Sequence, residues 1–172
     1  MDKSLVTETA DELLNKAEKD IVTIKVLFPK KFYPENLMYD IMCFHATMAV
    51  EKLLKSYIIS NGKNIEKTHD LDYLRESAMT IESSFIEIKK DCVTLNDFVP
   101  SRKYGDEVPI TKQNMNDIIK SLNNICGFPP IKAMRDSFRQ THKFEIIDES
   151  TVKPANSPKN GKQKTGPDYD WR

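Results

Sequence analysis

Apolar side chains recur at three- and four-residue steps through almost the whole chain, and that period confines it to helices. Five glycines are too few for the tight turns of a mainly β protein. Ala10, Leu13, Leu14, Ala17, Ile21, Ile24 and Phe28 form one stripe ending before Pro29, with Lys16, Glu18, Lys19 and Asp20 assigned to the wet side. Phe32-Tyr33-Pro34-Glu35 suits a helix start, because proline loses nothing in a first turn, and the second helix then runs to about Asn61. A third is expected to open near Thr68 and to carry Leu71, Leu74, Ala78, Ile81, Phe85 and Ile88 as one row. A fourth follows Pro109, capped by Thr111, and buries Met115, Ile118, Ile119, Leu122 and Ile125 until Gly127-Phe128-Pro129-Pro130 breaks it. A short fifth starts at Pro130, buries Ile131, Met134 and Phe138, and extends to about His142. The fold class this predicts is all-α, an up-and-down bundle of four to five helices.

The bundle is expected over residues 4–146, within reach of one domain for a chain of 172 residues. From 149 to 172 the chain holds prolines, glycines and lysines with almost no aliphatic side chains, too little apolar area to offset ordering entropy, so a flexible tail is expected there. Its Trp171 is an isolated aromatic of the kind that can anchor a peptide in a partner groove, with incidental exposure as the alternative. Basic and acidic residues balance at 26 each, which removes any global electrostatic case for nucleic acid or an anionic membrane. Nucleic-acid binding must therefore be local. Cys43, Cys92 and Cys126 are odd in number and set in or beside apolar runs, as expected of reduced thiols. The N-terminus lacks a signal-peptide pattern, and no window approaches the roughly 20 apolar residues of a membrane span, so a cytoplasmic protein without membrane association is expected.

Familiar chemistry fails on spacing. Gly62-Lys63 lacks the rest of a phosphate-cradling loop, and no Gly-x-Gly-x-x-Gly or Gly-x-Ser-x-Gly occurs. His45, His69 and His142 lie on separate segments with no zinc-type spacing, so neither a metal nor a cofactor is expected. What remains is basic residues and histidines on helices. His45 falls on the apolar face of the second helix with Met38, Ile41, Met48 and Ala49, and Lys52 lies on that side too. The pair either contacts a ligand between helices, or His45 is a satisfied core imidazole and Lys52 snorkels.

Phe44, His45, Ala46, Ala49, Glu51, Lys52, Leu54 and Lys55, followed by Gly62 and Thr68-His69-Asp70-Leu71, resemble the second helix and following turn of HEPN domains. A second resemblance lies at Ser101-Arg102-Lys103-Tyr104-Gly105-Asp106, which is similar to the Ser-Arg-Tyr-Pro-Asp loop of small HEPN proteins, with Lys103 inserted and Gly105 in place of proline. There Arg102 could grip a phosphate and Tyr104 stack on a base, or the loop could simply cap the bundle. The ribonuclease branch of the superfamily uses an arginine and a histidine with four to six residues between them, a spacing that Arg135 and His142 meet at its permissive end with six. Seven positions return both side chains to nearly one helix face, beside Arg139. In that role His142 would move the 2′-hydroxyl or leaving-group proton and Arg135 would hold the developing phosphorane charge, without a metal. A solvated basic edge is the alternative.

The resemblance implies a twofold homodimer. It also implies a nucleotide- or RNA-binding accessory protein working with a separately encoded partner, such as a nucleotidyltransferase in a toxin–antitoxin or defence setting. The competing readings are a metal-independent endoribonuclease on Arg135 and His142, and a purely structural helical partner.

Overall fold

The computed structural model describes residues 4–28, 38–98 and 110–142. Six α-helices span them: α1 Ala10–Leu27, α2 Tyr39–Ser60, α3 Leu71–Met79, α4 Lys89–Asn96, α5 Lys112–Gly127 and α6 Pro129–His142, with a 3₁₀ segment, Ser83–Ile88, between α3 and α4. The all-α bundle predicted from periodicity is what the chain forms. The proposed tail, the Phe32–Glu35 start, and Arg102 and Tyr104 lie outside the described residues.

Local chemistry fixes the helix ends. Thr9 caps α1 in a reciprocal box with Glu12, the threonine oxygen accepting from the Glu12 N–H and the carboxylate from the Thr9 N–H. Thr111 and Asn114 repeat that arrangement on α5. At the end of α2, Gly62 takes φ +75°, its N–H donates to Ile59 and the Lys63 N–H donates to Ile58, a Schellman closure that satisfies two orphan carbonyls. The cap of α3 is Asp70 rather than Thr68: its carboxylate accepts from the Asp72 and Tyr73 N–H groups and from the Asn96 amide.

One expectation is corrected in this region. The row from Leu71 to Ile88 is not one helix, because α3 stops at Met79 and the chain extends at Glu82 before the 3₁₀ segment. Thr80 folds its hydroxyl back onto Ser77 O, while Glu82 accepts from Tyr57 Oη at 3.0 Å and from Ser84 Oγ at 2.6 Å, so side chains hold the backbone out of the helix. Phe85 still reaches the core, packed between Tyr57 and Phe128 with ring centroids 4.6 and 5.0 Å away.

The long α1 and α2 pack antiparallel, as Ser56 donating to Ala10 O at one end and His45 meeting Asp20 further along require. Their shared core is Leu13, Leu14, Ala17, Ile21 and Ile24 against Met42, Ala46, Ala49, Val50, Leu53 and Leu54, all buried. α3, the 3₁₀ segment and α4 add Leu71, Leu74, Ala78, Phe85, Ile88 and Leu95, and α5 and α6 close the core with Met115, Ile118, Ile125, Ile131 and Phe138. An isolated antiparallel bridge ties Leu5 to Glu66. No helix among the described residues is long and apolar enough to cross a membrane.

Candidate functional site

Three carboxylates organise the polar interior, each gripping two basic side chains. Glu18, assigned to the wet face from its charge, is 2 % exposed and sits behind α6. There Arg135, itself 7 % exposed, grasps it in a fork, Nε to Oε1 at 2.6 Å and Nη2 to Oε2 at 3.3 Å, and Arg139 adds Nη2 to Oε2 at 2.7 Å. Burial raises the proton affinity of Glu18, but the hydrogen bonds and charges of the two arginines outweigh it and hold the carboxyl below its ordinary value. Arg135 also donates through Nη1 to Cys126 O, satisfying a carbonyl near the end of α5.

Asp20 is the second centre and was also assigned to the wet side. It accepts from Lys52 Nζ through Oδ2 and lies 2.8 Å from His45 Nδ1 through Oδ1. His45 and Lys52, singled out from the face they share, are thus brought together, half-buried, on one carboxylate of α1. Glu51 is the third centre, binding Lys55 and holding His69 Nδ1 at 2.8 Å. Glu51 and Lys55 are buried and the His69 ring is exposed, so this group pins the loop after Gly62 to α2. The residues that carry the family resemblance in α2 therefore make fold-locking contacts.

Arg135 and His142 share α6 but serve different neighbours. His142 is exposed at the helix end, stacked on Phe138 at 4.1 Å with Nδ1 donating to the Phe138 carbonyl at 3.0 Å. No hydrogen bond joins it to Arg135 among the described residues.

Between α1, α5 and α6 lies a cavity of about 580 Å3. Ile21, Ile24, Ile119 and Leu122 give it apolar walls, Phe28 lines it too, and among the described residues Lys25, Lys132, Arg135 and Arg139 line it with cations against the carboxylate of Asp136. Lys132 is engaged with Asp136 in an exposed i,i+4 pair, which in water is weak. Cys126 also lines the cavity, its thiol pushed up by burial and hence protonated and unreactive at neutral pH. Among the described residues no three histidine, cysteine, aspartate or glutamate side chains are grouped to hold a metal ion.

Sequence reasoning missed Glu18 and the cavity. Glu18 was detectable, since it stands four residues after Leu14 and three before Ile21, on the buried stripe itself. The cavity had no sequence signal, being lined by residues from three helices.

A family model described as the HEPN domain matches residues 10–131. The crystal structure of an archaeal HEPN homologue superposes with a TM-score of 0.55 at 17% identity, covering 75% of this chain and 99% of the other. No curated protein matches the chain. The family match ends at the start of α6, before Arg135, Arg139 and His142, so the roles of those three rest on geometry.

Proposed function

The chain belongs to the HEPN domain family, and on that premise we propose that it is a non-catalytic binding protein that takes a nucleotide or RNA at the α1/α5/α6 cavity and works beside a separately encoded partner. The observation that carries the reading is the clamp of Glu18 on Arg135. A catalytic arginine must offer its fork to a phosphate, and this one spends the fork on a buried carboxylate of another helix. Releasing it would leave Glu18 buried with one partner fewer, a cost that opposes catalysis on every turnover. The cavity beside it keeps Lys25 and the outer side of Arg139 available to an anion, which supports binding without chemistry.

The partner suggested by the family resemblance is a nucleotidyltransferase of the toxin–antitoxin or defence type, and the assembly a twofold homodimer. Val22 and Val26 of α1 and Ile41 and Phe44 of α2 are exposed and lie toward the same end of the antiparallel hairpin, which supports an apolar contact between copies there.

The test combines two measurements on the full chain. Labelled RNA is incubated in EDTA with the wild type and with an Arg135→Ala, His142→Ala double variant, and melting temperature is followed across nucleotides and short RNAs. Intact RNA together with a ligand-dependent rise in melting temperature is the expected result. Cleavage by the wild type alone, leaving 2′,3′-cyclic phosphate ends, would replace this reading with the endoribonuclease, and intact RNA with no thermal shift from any ligand would leave only a structural role.

A further inference from the structure

Resting on that reading for its separately encoded partner, we infer that the α1/α5/α6 cavity is also where the partner docks, by an acidic amphipathic helix whose aliphatic side chains enter the apolar floor and whose carboxylates meet the cationic rim. The form of the lining is the first ground. Its residues come from 21–28, 119–127 and 132–139 at three- and four-residue steps, so each wall runs for about two helical turns, roughly 10 Å. Side chains at that period make ridges with grooves between them, the surface into which the apolar face of another helix packs. Floor and rim also differ in character. Ile21, Ile24 and Leu122 are buried, whereas Lys25, Phe28, Asn123 and Lys132 are exposed around them, and an apolar centre within a polar margin is the anatomy of a protein contact.

Charge complementarity is the second ground, and it lies in the spacing of the cations. Lys132 and Arg139 stand seven residues apart on α6, so their backbones are separated by about 10 Å along the helix. Arg139 is pinned by Glu18 through Nε and Nη2, which leaves Nη1 without a partner among the described residues. Two carboxylates seven residues apart on a guest helix repeat that separation on one face, with apolar residues at the third and fourth positions between them. Asp136 lies between the two host cations and repels a carboxylate there, which reserves the middle of the guest for its apolar residues. Lys25 adds a cation from the α1 wall and makes no ion pair among the described residues. A strand of RNA asks for successive aromatic platforms, and among the described residues Phe28 is the aromatic ring of this lining. Because partner helix and nucleotide draw on the same cations, each excludes the other, and ligand binding releases the partner.

Fluorescence anisotropy on the full chain tests this with a labelled, alanine-rich helical peptide that bears two glutamates seven residues apart and two leucines midway between them. It is expected to bind at least tenfold more tightly than the same peptide with lysines for the glutamates or alanines for the leucines. Lys25→Glu and Lys132→Ala, both at exposed positions and expected to keep the wild-type melting temperature, should each weaken it about tenfold. Excess nucleoside 5′-monophosphate should release it. A nucleotide or short RNA that raises the melting temperature while the peptide fails to bind overturns the inference and leaves the broader reading standing. Binding of neither the peptide nor any nucleotide or RNA overturns both. Peptide binding that is unchanged in Lys25→Glu, or that persists beside a bound nucleotide, places the peptide elsewhere and also overturns the inference.

Discussion

At the scale of single residues, Glu18 ties the first described helix to the last. It is a buried acid whose two cations arrive from a helix more than a hundred positions away in sequence, so removing a partner exposes it to an electrostatic penalty. Arg135→Ala is expected to destabilise the fold by about 3 kcal/mol, at the low end for a broken buried pair because Arg139 stays in place, and urea unfolding measures it. The pH dependence has a definite sign. The Glu18 carboxyl is held below its ordinary value of 4.5 in the folded state, so its contribution is complete above that value and disappears as pH falls through the lowered one. Stability measured from pH 6 down to pH 2 should decline more steeply in the wild type than in Glu18→Gln, and parallel curves would show that the clamp is not linked to acid unfolding. The residue identities were legible in the sequence while their pairing was not. A period places Glu18 on the inner stripe, but no period says that an arginine at 135 will reach it.

At the scale of elements, the spacing of apolar residues revealed α1, α2, α5 and α6 but not the short α4, and helix ends were written in a few polar residues. The stretch from Leu71 to Ile88 shows the difference: its apolar row runs unbroken, yet Thr80 and Glu82 end one helix and Ser83 opens a tighter turn. Periodicity reports which side is buried, and a 3₁₀ turn preserves that side while shortening the step, so the pattern alone could not reveal the break. The Gly62 closure was legible because only glycine adopts such a φ without strain. Gly62→Ala meets no atom within 4 Å, so its cost is purely the backbone's, about 1 kcal/mol, readable as a lowered melting temperature with the helical signal unchanged.

At the scale of the whole molecule, the apolar end of the α1–α2 hairpin and the cationic cavity define two separate interests of the surface. The first bears on assembly. Light scattering coupled to gel filtration should give twice the chain mass of 19.8 kDa, and Val22→Glu with Phe44→Glu should return the single mass while leaving the circular dichroism of the helices in place. A wild type running at the single mass would remove the dimer from the account. Neutrality of the whole chain was readable from composition, whereas the local gathering of Lys25, Lys132, Arg135 and Arg139 was not, since it depends on how α1 and α6 meet.

The grip of two arginines on Glu18 also bears on the order in which the chain can be made. During synthesis α1 and α2 leave the ribosome early and can pair through their apolar faces at once, but the partners of Glu18 emerge only when residues 135 and 139 do. Until then a carboxylate waits on the inner side of α1 with nothing to neutralise it, and water must stay where α6 will lie. Docking of the last helix is then the event that dries the first, so a nascent chain stopped before α6 should hold its opening helix loosely and exchange its amide protons fast.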